Sequence, residues 1–274
     1  MLFRWGLPYL AFMVLVTFVG FWPTYFGKID RVPLPFHVHA ISAMIWLSLL
    51  AVQTWSIQQR RNALHKQVGK ASFLLFPLLI MGLVAIVNLT ATRYAAGDQG
   101  KMVFEPAIGI ITFVAILGYL TLFHLAIKHR RNARLHGAYL LATPLILFES
   151  PASRATGNLF NWPDFANRTP LQQFGDSVAV PDAMCIAFAL LVYASDRKHG
   201  KPWLVAVFFL AVQALVVYVP DAIPGFNRFL AAFGTLPAAV TLGGGLLAGA
   251  LAGWLGWEQG KPPSRRVPSP QLAE

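Results

Sequence analysis

The residues of this chain that could do chemistry are seven histidines and a few carboxylates set in an otherwise apolar sequence. They fall in two layers. The first layer is marked by a motif that occurs twice. Arg60-Arg61-Asn62-Ala63-Leu64-His65 returns as Arg130-Arg131-Asn132-Ala133-Arg134-Leu135-His136, with Arg134 as the one extra residue. Each copy is a basic turn, a Leu-His pair and then an apolar run. If the two copies are related by a pseudo-twofold along a membrane normal, His65 and His136 face each other across it. Two facing neutral imidazoles are the axial ligand set of a b-type haem. His124, one to two turns inside the preceding apolar segment, could replace either. The competing reading is plain: a histidine beside an Arg-rich turn contacts lipid phosphate or the first turn of its own helix. The second layer is His37, His39, Glu105, Glu149, Arg154 and Asp182. Ionisable side chains inside apolar spans are costly and mark function by default. Imidazoles with carboxylates suit a transition metal such as zinc, iron or copper. The same residues also suit a charge network, with Arg154 paired to Glu149 or Asp182 and a histidine beside them, or a pocket for a small ligand. His37 and His39 are two residues apart and would point to nearly opposite sides of a regular helix. Both could therefore bind one ion only if the backbone there is extended.

The elements that must position these residues are membrane spans. Of the 274 residues, 56% are hydrophobic and 12% charged, with mean hydropathy +0.56, where soluble domains carry roughly 25% charged residues. A span needs about 20 mostly apolar residues. Segments 6–24, 36–57, 70–91, 103–127, 136–152, 178–195, 202–220 and 236–257 qualify, the fifth being the shortest. This predicts an all-α integral membrane protein of about eight transmembrane helices, with spans two and three and spans four and five forming two related hairpins. The first span has no small-residue cleavage site after it, since Phe21-Trp22-Pro23-Thr24-Tyr25-Phe26 is bulky, and reads as a retained span. Phe226 to Phe233 reads as an interfacial helix ahead of the last span. Pro77 and Pro144 fall inside spans and should kink them.

Charge sets the orientation. The N-terminus, the turns at 58–70, 128–136 and 196–201 and the C-terminal tail hold fifteen of the 22 Lys and Arg residues. The positive-inside rule places that side, with both termini, in the cytoplasm of a bacterial inner membrane. The net charge of +11 is then a topology and lipid-contact signal rather than a nucleic-acid footprint. His129 and His199 sit in the basic turns and read as solvated. The long outer connection 151–177, with Asn161-Trp162-Pro163-Asp164, reads as an interfacial loop or a lid over an outer cavity. Residues 258–274 carry four prolines and read as a disordered cytoplasmic tail. Cys185, the one cysteine, excludes an intramolecular disulfide and a cysteine metal cluster.

Residues 1–235 thus read as a multi-span domain with a histidine-rich core, and 236–257 as an added span of a different kind. There Gly245, Gly249 and Gly253 recur every four residues, a small-xxx-small face that lets helices approach closely. The face docks either on this chain's own spans or on a partner subunit or second copy.

Taken in order, His37-Val38-His39-Ala40, Trp46, Gln53, Leu64-His65-Lys66-Gln67-Val68-Gly69, Leu135-His136, Pro151-Ala152-Ser153-Arg154, Asp182 and Tyr193 resemble a proteobacterial family of multi-span membrane proteins without an assigned activity. The resemblance covers residues 8–235. Ala40 stands where the family pattern has Gly, Leu140 stands where it has Met, and the glycine-striped span is additional. The family is itself loosely similar to transmembrane b-type cytochromes. The resemblance brings no activity of its own; the histidine-rich core supports the leading expectation, a redox or cofactor-handling protein of the inner membrane, holding b-type haem or a metal and linked to quinone. An accessory subunit of a larger membrane complex and a proton-coupled small-molecule transporter are the rival expectations. The sequence carries no nucleophile motif, phosphate loop or metalloprotease motif, which argues against a hydrolase or ATPase.

Overall fold

The structure is a computed structural model that describes residues 2–97, 104–160, 168–219, 223 and 225–262. The stretch around Trp162 and the tail beyond Pro262 lie outside the described residues. Among those described, the regular elements are helical: α1 (Leu2–Phe21), α2 (Leu34–Gln58), α3 (Asn62–Ala95), α4 (Glu105–Lys128), α5 (Ala133–Ala142), α6 (Glu149–Phe160), α7 (Pro170–Ser195), α8 (Lys201–Val216), α9 (Phe226–Gly234) and α10 (Ala238–Gln259). Helices are what a bilayer demands, because every backbone polar group in hydrocarbon must find its partner within the chain. Six of them, α1, α2, α3, α4, α7 and α10, are long and apolar enough to cross a membrane, and α8 is a shorter apolar helix. The protein is an all-α integral membrane protein.

The fifth apolar segment is not one continuous helix. α5 stops at Ala142, a 3-10 turn covers Thr143–Leu147, and α6 restarts at Glu149. Pro144 is the cause. It has no N–H, and in an α-helix its ring would meet the Leu140 carbonyl. Thr143 Oγ1 donates to that carbonyl at 2.8 Å, and the Trp46 indole N–H donates to Thr143 Oγ1 at 3.0 Å. The break is therefore pinned from α2. Pro77 has the milder outcome, since α3 runs through it without interruption.

α3 and α4 form the centre of the molecule, with most of their apolar stretch buried, while α1, α2, α7 and α10 are largely peripheral. Trp46, Phe76 and Phe123 make the middle of the core. The two phenyl rings stack at 3.8 Å, and the indole lies 5.4 and 5.7 Å from them. Outward-facing Phe12, Leu15, Leu74, Leu191 and Phe208 give the belt its apolar surface. α9 behaves as an amphipathic cap. It opens at Gly225, whose φ of 77° is left-handed, buries Leu230, and sets Phe226, Phe229 and Phe233 around Phe113 of α4.

The glycine face of α10 is used within the chain. A Cβ added at Gly249 would stand 2.6 Å from the Pro77 Cα, at Gly245 2.9 Å from a Val84 methyl, at Gly253 3.2 Å from Phe73 and Phe123, and at Gly256 2.6 Å from the His124 carbonyl. Of the two expectations for Gly245, Gly249 and Gly253, the chain's own spans or a partner, the structure shows packing on the chain's own α3 and α4. α3 and α4 already fill that face.

Candidate functional site: an outer cavity and an inner histidine pair

The two copies of the basic motif end in the same local geometry. Arg60, at φ 55°, turns the chain, and Arg61 caps α3. In the second copy the extra residue is absorbed by starting the helix one position later. Asn132 becomes the N-cap, and its side-chain oxygen accepts from the Leu135 N–H at 3.2 Å. His65 and His136 are each the fourth residue of their helix, donating backbone N–H to the cap carbonyls of Arg61 and Asn132 at 3.0 and 2.9 Å. Their rings come together, with centres 6.4 Å apart and planes at 88°.

His136 Nδ1 lies 2.8 Å from the Ala126 carbonyl. A carbonyl only accepts, so Nδ1 carries the hydrogen and the Nε2 lone pair is free, the tautomer used by metal-ligating histidines. His65 is held through its own carbonyl, which accepts from Gln53 Nε2 at 3.1 Å, and its Nδ1 is buried without a partner. His124 does not join the pair. Its Nδ1 donates to the Ala252 carbonyl at 3.3 Å, tying α4 to α10. Arg61 and Arg130 lie over the rings of Trp55 and Trp257 at 4.6 and 4.1 Å, an interfacial arrangement of cation and aromatic. His199 is not simply solvated: it bonds Asp196 at 3.1 Å.

Four residues of the second layer, His39, Glu105, Glu149 and Arg154, line a cavity of about 580 Å³ between α1, α2, α3, α4, the α5–α6 corner and α7. Its wall is largely apolar and aromatic, including Met13, Phe21, Phe36, Trp46, Leu83 and Phe148. Polar groups enter from several sides: His39, Arg93, Glu105, Tyr119, Glu149 and Arg154.

His37 and His39 part company. Pro33 is extended and α2 starts at Leu34, with Pro35 in its first turn, so the backbone at both histidines is helical. The His37 imidazole meets the Tyr25 hydroxyl at 2.8 Å. His39 lines the cavity with its Nδ1 buried and unbonded. Glu105, 3% exposed, pairs with Arg93 at 3.7 Å. Arg154 donates to the Ser150 carbonyl and hydroxyl at 2.9 and 2.8 Å and lies 4.8 Å from the Phe21 ring. Glu149 opens α6. It turns one oxygen to the backbone at Glu149 and Ser150 and leaves Oε2 buried without a partner. Asp182 lies outside the cavity lining, fully buried on α7, with neither oxygen bonded.

Among the described residues, no three His, Cys, Asp or Glu side chains stand together as a metal-ligand set. The structure thus does not bring His37, His39, Glu105, Glu149 and Asp182 together as one ligand set. Tyr25 takes one of these residues and Arg93 another, and Asp182 lies behind the wall. Sequence reasoning missed Arg93, Tyr25 and Tyr119. Arg93 was legible: it ends α3 and Glu105 begins α4, so a short connection brings them level. Tyr119 was the one phenol in an apolar helix, a weak form of the same signal that marked the carboxylates.

No family model, curated protein or solved structure matches this chain.

Proposed function

We propose that the protein is a bacterial inner-membrane protein whose outer-half cavity binds an amphiphilic, quinone-class molecule. The observation that carries this reading is the cavity itself. At about 580 Å³ it falls within the roughly 300–1,000 Å³ range of small-molecule sites. Its wall is apolar, and two buried polar atoms lack partners, His39 Nδ1 and Glu149 Oε2. A flat ring with oxygens on opposite edges and an apolar tail fits an aromatic-lined slot with polar groups on separate helices. Such a molecule reaches the site from within the bilayer. Eight crossings, counting α5 to α6 as one broken crossing and α8 as another, put both termini on the Lys- and Arg-rich side, and the charge bias supports that side being cytoplasmic. The α2–α3 and α4–α5 units are read as related hairpins because His65 and His136 hold equivalent positions. His39, Trp46, His65, His136, Arg154 and Asp182, six residues of the family pattern, adjoin the two layers, which supports that resemblance.

A second reading adds a b-type haem at the inner pair. The specific support is the facing of His65 and His136 at 6.4 Å. Two facing imidazoles are the residue types that would hold a haem iron. The His136 tautomer leaves Nε2 available for it. A haem there would supply one-electron chemistry, and the two imidazoles would hold and orient it. The surface that favoured an accessory-subunit role is occupied by α3 and α4.

The test is made on full-length protein purified in mild detergent. Its organic extract is analysed by mass spectrometry, and a short-chain quinone is titrated while tryptophan fluorescence is followed. Saturable quenching is expected. It should disappear in Trp46→Phe and weaken about tenfold, or about 1.4 kcal/mol, in His39→Ala and Glu149→Gln. No co-purifying lipophile and no saturable quenching would remove the reading. On the same sample, a dithionite-reduced α-band lost in His65→Ala and His136→Ala supports the haem, and a featureless spectrum ends that second reading.

A further inference from the structure

Behind the outer cavity lies a group of buried polar atoms that ligand binding alone does not use. Asp182 is 0% exposed and Glu149 3%. Both Asp182 oxygens, Glu149 Oε2 and the Tyr9 hydroxyl are buried without hydrogen-bond partners. The two carboxyls are close enough to act on each other electrostatically. Facing them are Tyr119 from α4, Arg154 further along α6, Cys185 one turn along α7 and, beyond Cys185 and Tyr119, Tyr9 from α1. α8, which packs along α7, carries no ionisable side chain between Pro202 and Val216. Among the described residues no ion pair reaches either carboxyl. Arg154, the cation in range, is spent on Ser150 and the Phe21 ring.

A buried carboxylate is expensive in hydrocarbon, above all at Asp182, where neither oxygen has a donor. Two within electrostatic range are worse, because the first charge opposes the second and the pair titrates as a unit. Apolar substitution would have been the cheap solution at a purely structural position. Four unbonded oxygens on three helices are instead polar groups of the kind that ordered water satisfies inside proteins.

One member of the pair borders the cavity. Glu149 and Tyr119 line the cavity, whereas Asp182 does not. Pro181 precedes Asp182 inside α7. Its missing N–H withdraws the donor that would close on the Ser177 carbonyl, and Ser177 lines the cavity as well. Ser177 and Glu149 therefore place polar residues of α7 and α6 on the cavity side of Asp182.

We propose that Glu149 and Asp182 form one proton-binding site filled from the outer cavity, with Glu149 as its mouth and Asp182 as its interior. The proton arrives on cavity water, rests on one carboxyl of the pair and leaves by the same route, so no oxidant or second reactant is required. The site uses the cavity described above but not its quinone-class occupant. A proton-coupled event in that cavity, whatever its ligand, would draw on this store.

The experiment is infrared difference spectroscopy on the full-length purified protein as water is exchanged for deuterium oxide. The wild type should show a protonated carboxyl stretch that shifts on deuteration. Asp182→Asn should delete that component. Glu149→Gln should keep an Asp182 component but slow its deuteration by an order of magnitude, because the mouth is blocked. A purely structural acid would show no dependence of its exchange rate on Glu149. The absence of a protonated band in the wild type, a band indifferent to both substitutions, or deuteration in Glu149→Gln as fast as in the wild type would each overturn the proposal. If Asp182→Asn does not fold, the Glu149→Gln rate decides alone. Failure to bind quinone leaves every one of these readings intact, so the two proposals fail separately.

Discussion

Replacing Gly249 by alanine adds one methyl group at the tightest point between α10 and α3. The new Cβ would stand 2.6 Å from the Pro77 Cα, 3.2 Å from its nitrogen and 3.3 Å from its Cβ. Ordinary contact to carbon begins near 3.5 Å, so the helices must part by nearly an ångström. The atoms in the way are backbone and a proline ring, which cannot swing aside as a long side chain does. Overpacking of this kind costs about 1–3 kcal/mol. Removing a helical glycine returns roughly 0.5–1 kcal/mol, leaving a net loss of about 1–2 kcal/mol. At about 2–4 °C per kcal/mol for a chain of this size, the thermal midpoint should fall by several degrees. The same helix supplies the control. A Cβ at Gly243 or Gly244 meets nothing within 4 Å, so alanine there should leave the midpoint unchanged or slightly raised. The assay is thermal unfolding of the three variants in one detergent, with size-exclusion chromatography alongside. Equal midpoints for Gly249→Ala and Gly243→Ala would refute the packing of α10 on α3. Loss of an oligomer in Gly249→Ala without loss of stability would return the glycine face to a partner.

Three further outcomes follow from single contacts. Asn132→Ala removes the side-chain cap of α5 and should cost about 0.5–2 kcal/mol in thermal or denaturant unfolding; the matching Arg61→Ala removes no such bond and should cost less. Trp46→Phe removes a buried indole donor from Thr143 and should cost about 1–3 kcal/mol, and an unchanged midpoint would mean the α5–α6 break is not pinned from α2. In the turn after α7, the hydrogen bond from His199 holds the Asp196 carboxyl below the usual carboxylate range. A group lowered on folding contributes above its unfolded pKa and loses that contribution as pH falls through its folded value. Carbon-detected NMR of Asp196 should therefore show a low titration point that returns to the ordinary range in His199→Ala.

How much of this was legible beforehand depended on whether a residue's neighbours could be counted along the chain. Spans were legible because hydrocarbon leaves the backbone one economical conformation: the apolar runs match α1, α2, α4, α8 and α10 within a few residues, while α3 and α7 each begin well ahead of theirs, at Asn62 and Pro170. The break at Thr143–Leu147 was not. Pro77 and Pro144 look alike in sequence, yet one is carried through a continuous helix and the other ends it. The difference is the Trp46–Thr143 contact from a span nearly a hundred residues away. The glycine stripe announced a close approach but not its partner, because Pro77 and Val84 become its neighbours only after α10 folds back on α3. His37 and His39 turned on a local matter, helix or extended, and Pro33 with Pro35 decided it by starting α2 before both. Asp182 was singled out as a costly charge, but its lack of any bonded cation is a property of four helices at once.

The two polar layers are separated by packed matter, and that constrains any joint function. Trp46 forms the floor of the outer cavity, and its ring rests on Phe76 and Phe123. From Phe76 back to His65, α3 descends about 16 Å at 1.5 Å per residue. A ligand in the cavity therefore cannot touch the inner histidines, and no water route is needed between them for either layer to work. Chemistry linking the layers would have to pass electrons through the Trp46–Phe76–Phe123 stack or shift α3 as a body. The first alternative leaves ligand affinity unchanged when His65 or His136 is replaced. The second changes it, because Leu83 and Arg93 of the cavity wall ride on the same helix as His65. Quinone titrations of His65→Ala and His136→Ala thus ask how the layers communicate even where the spectrum alone is silent.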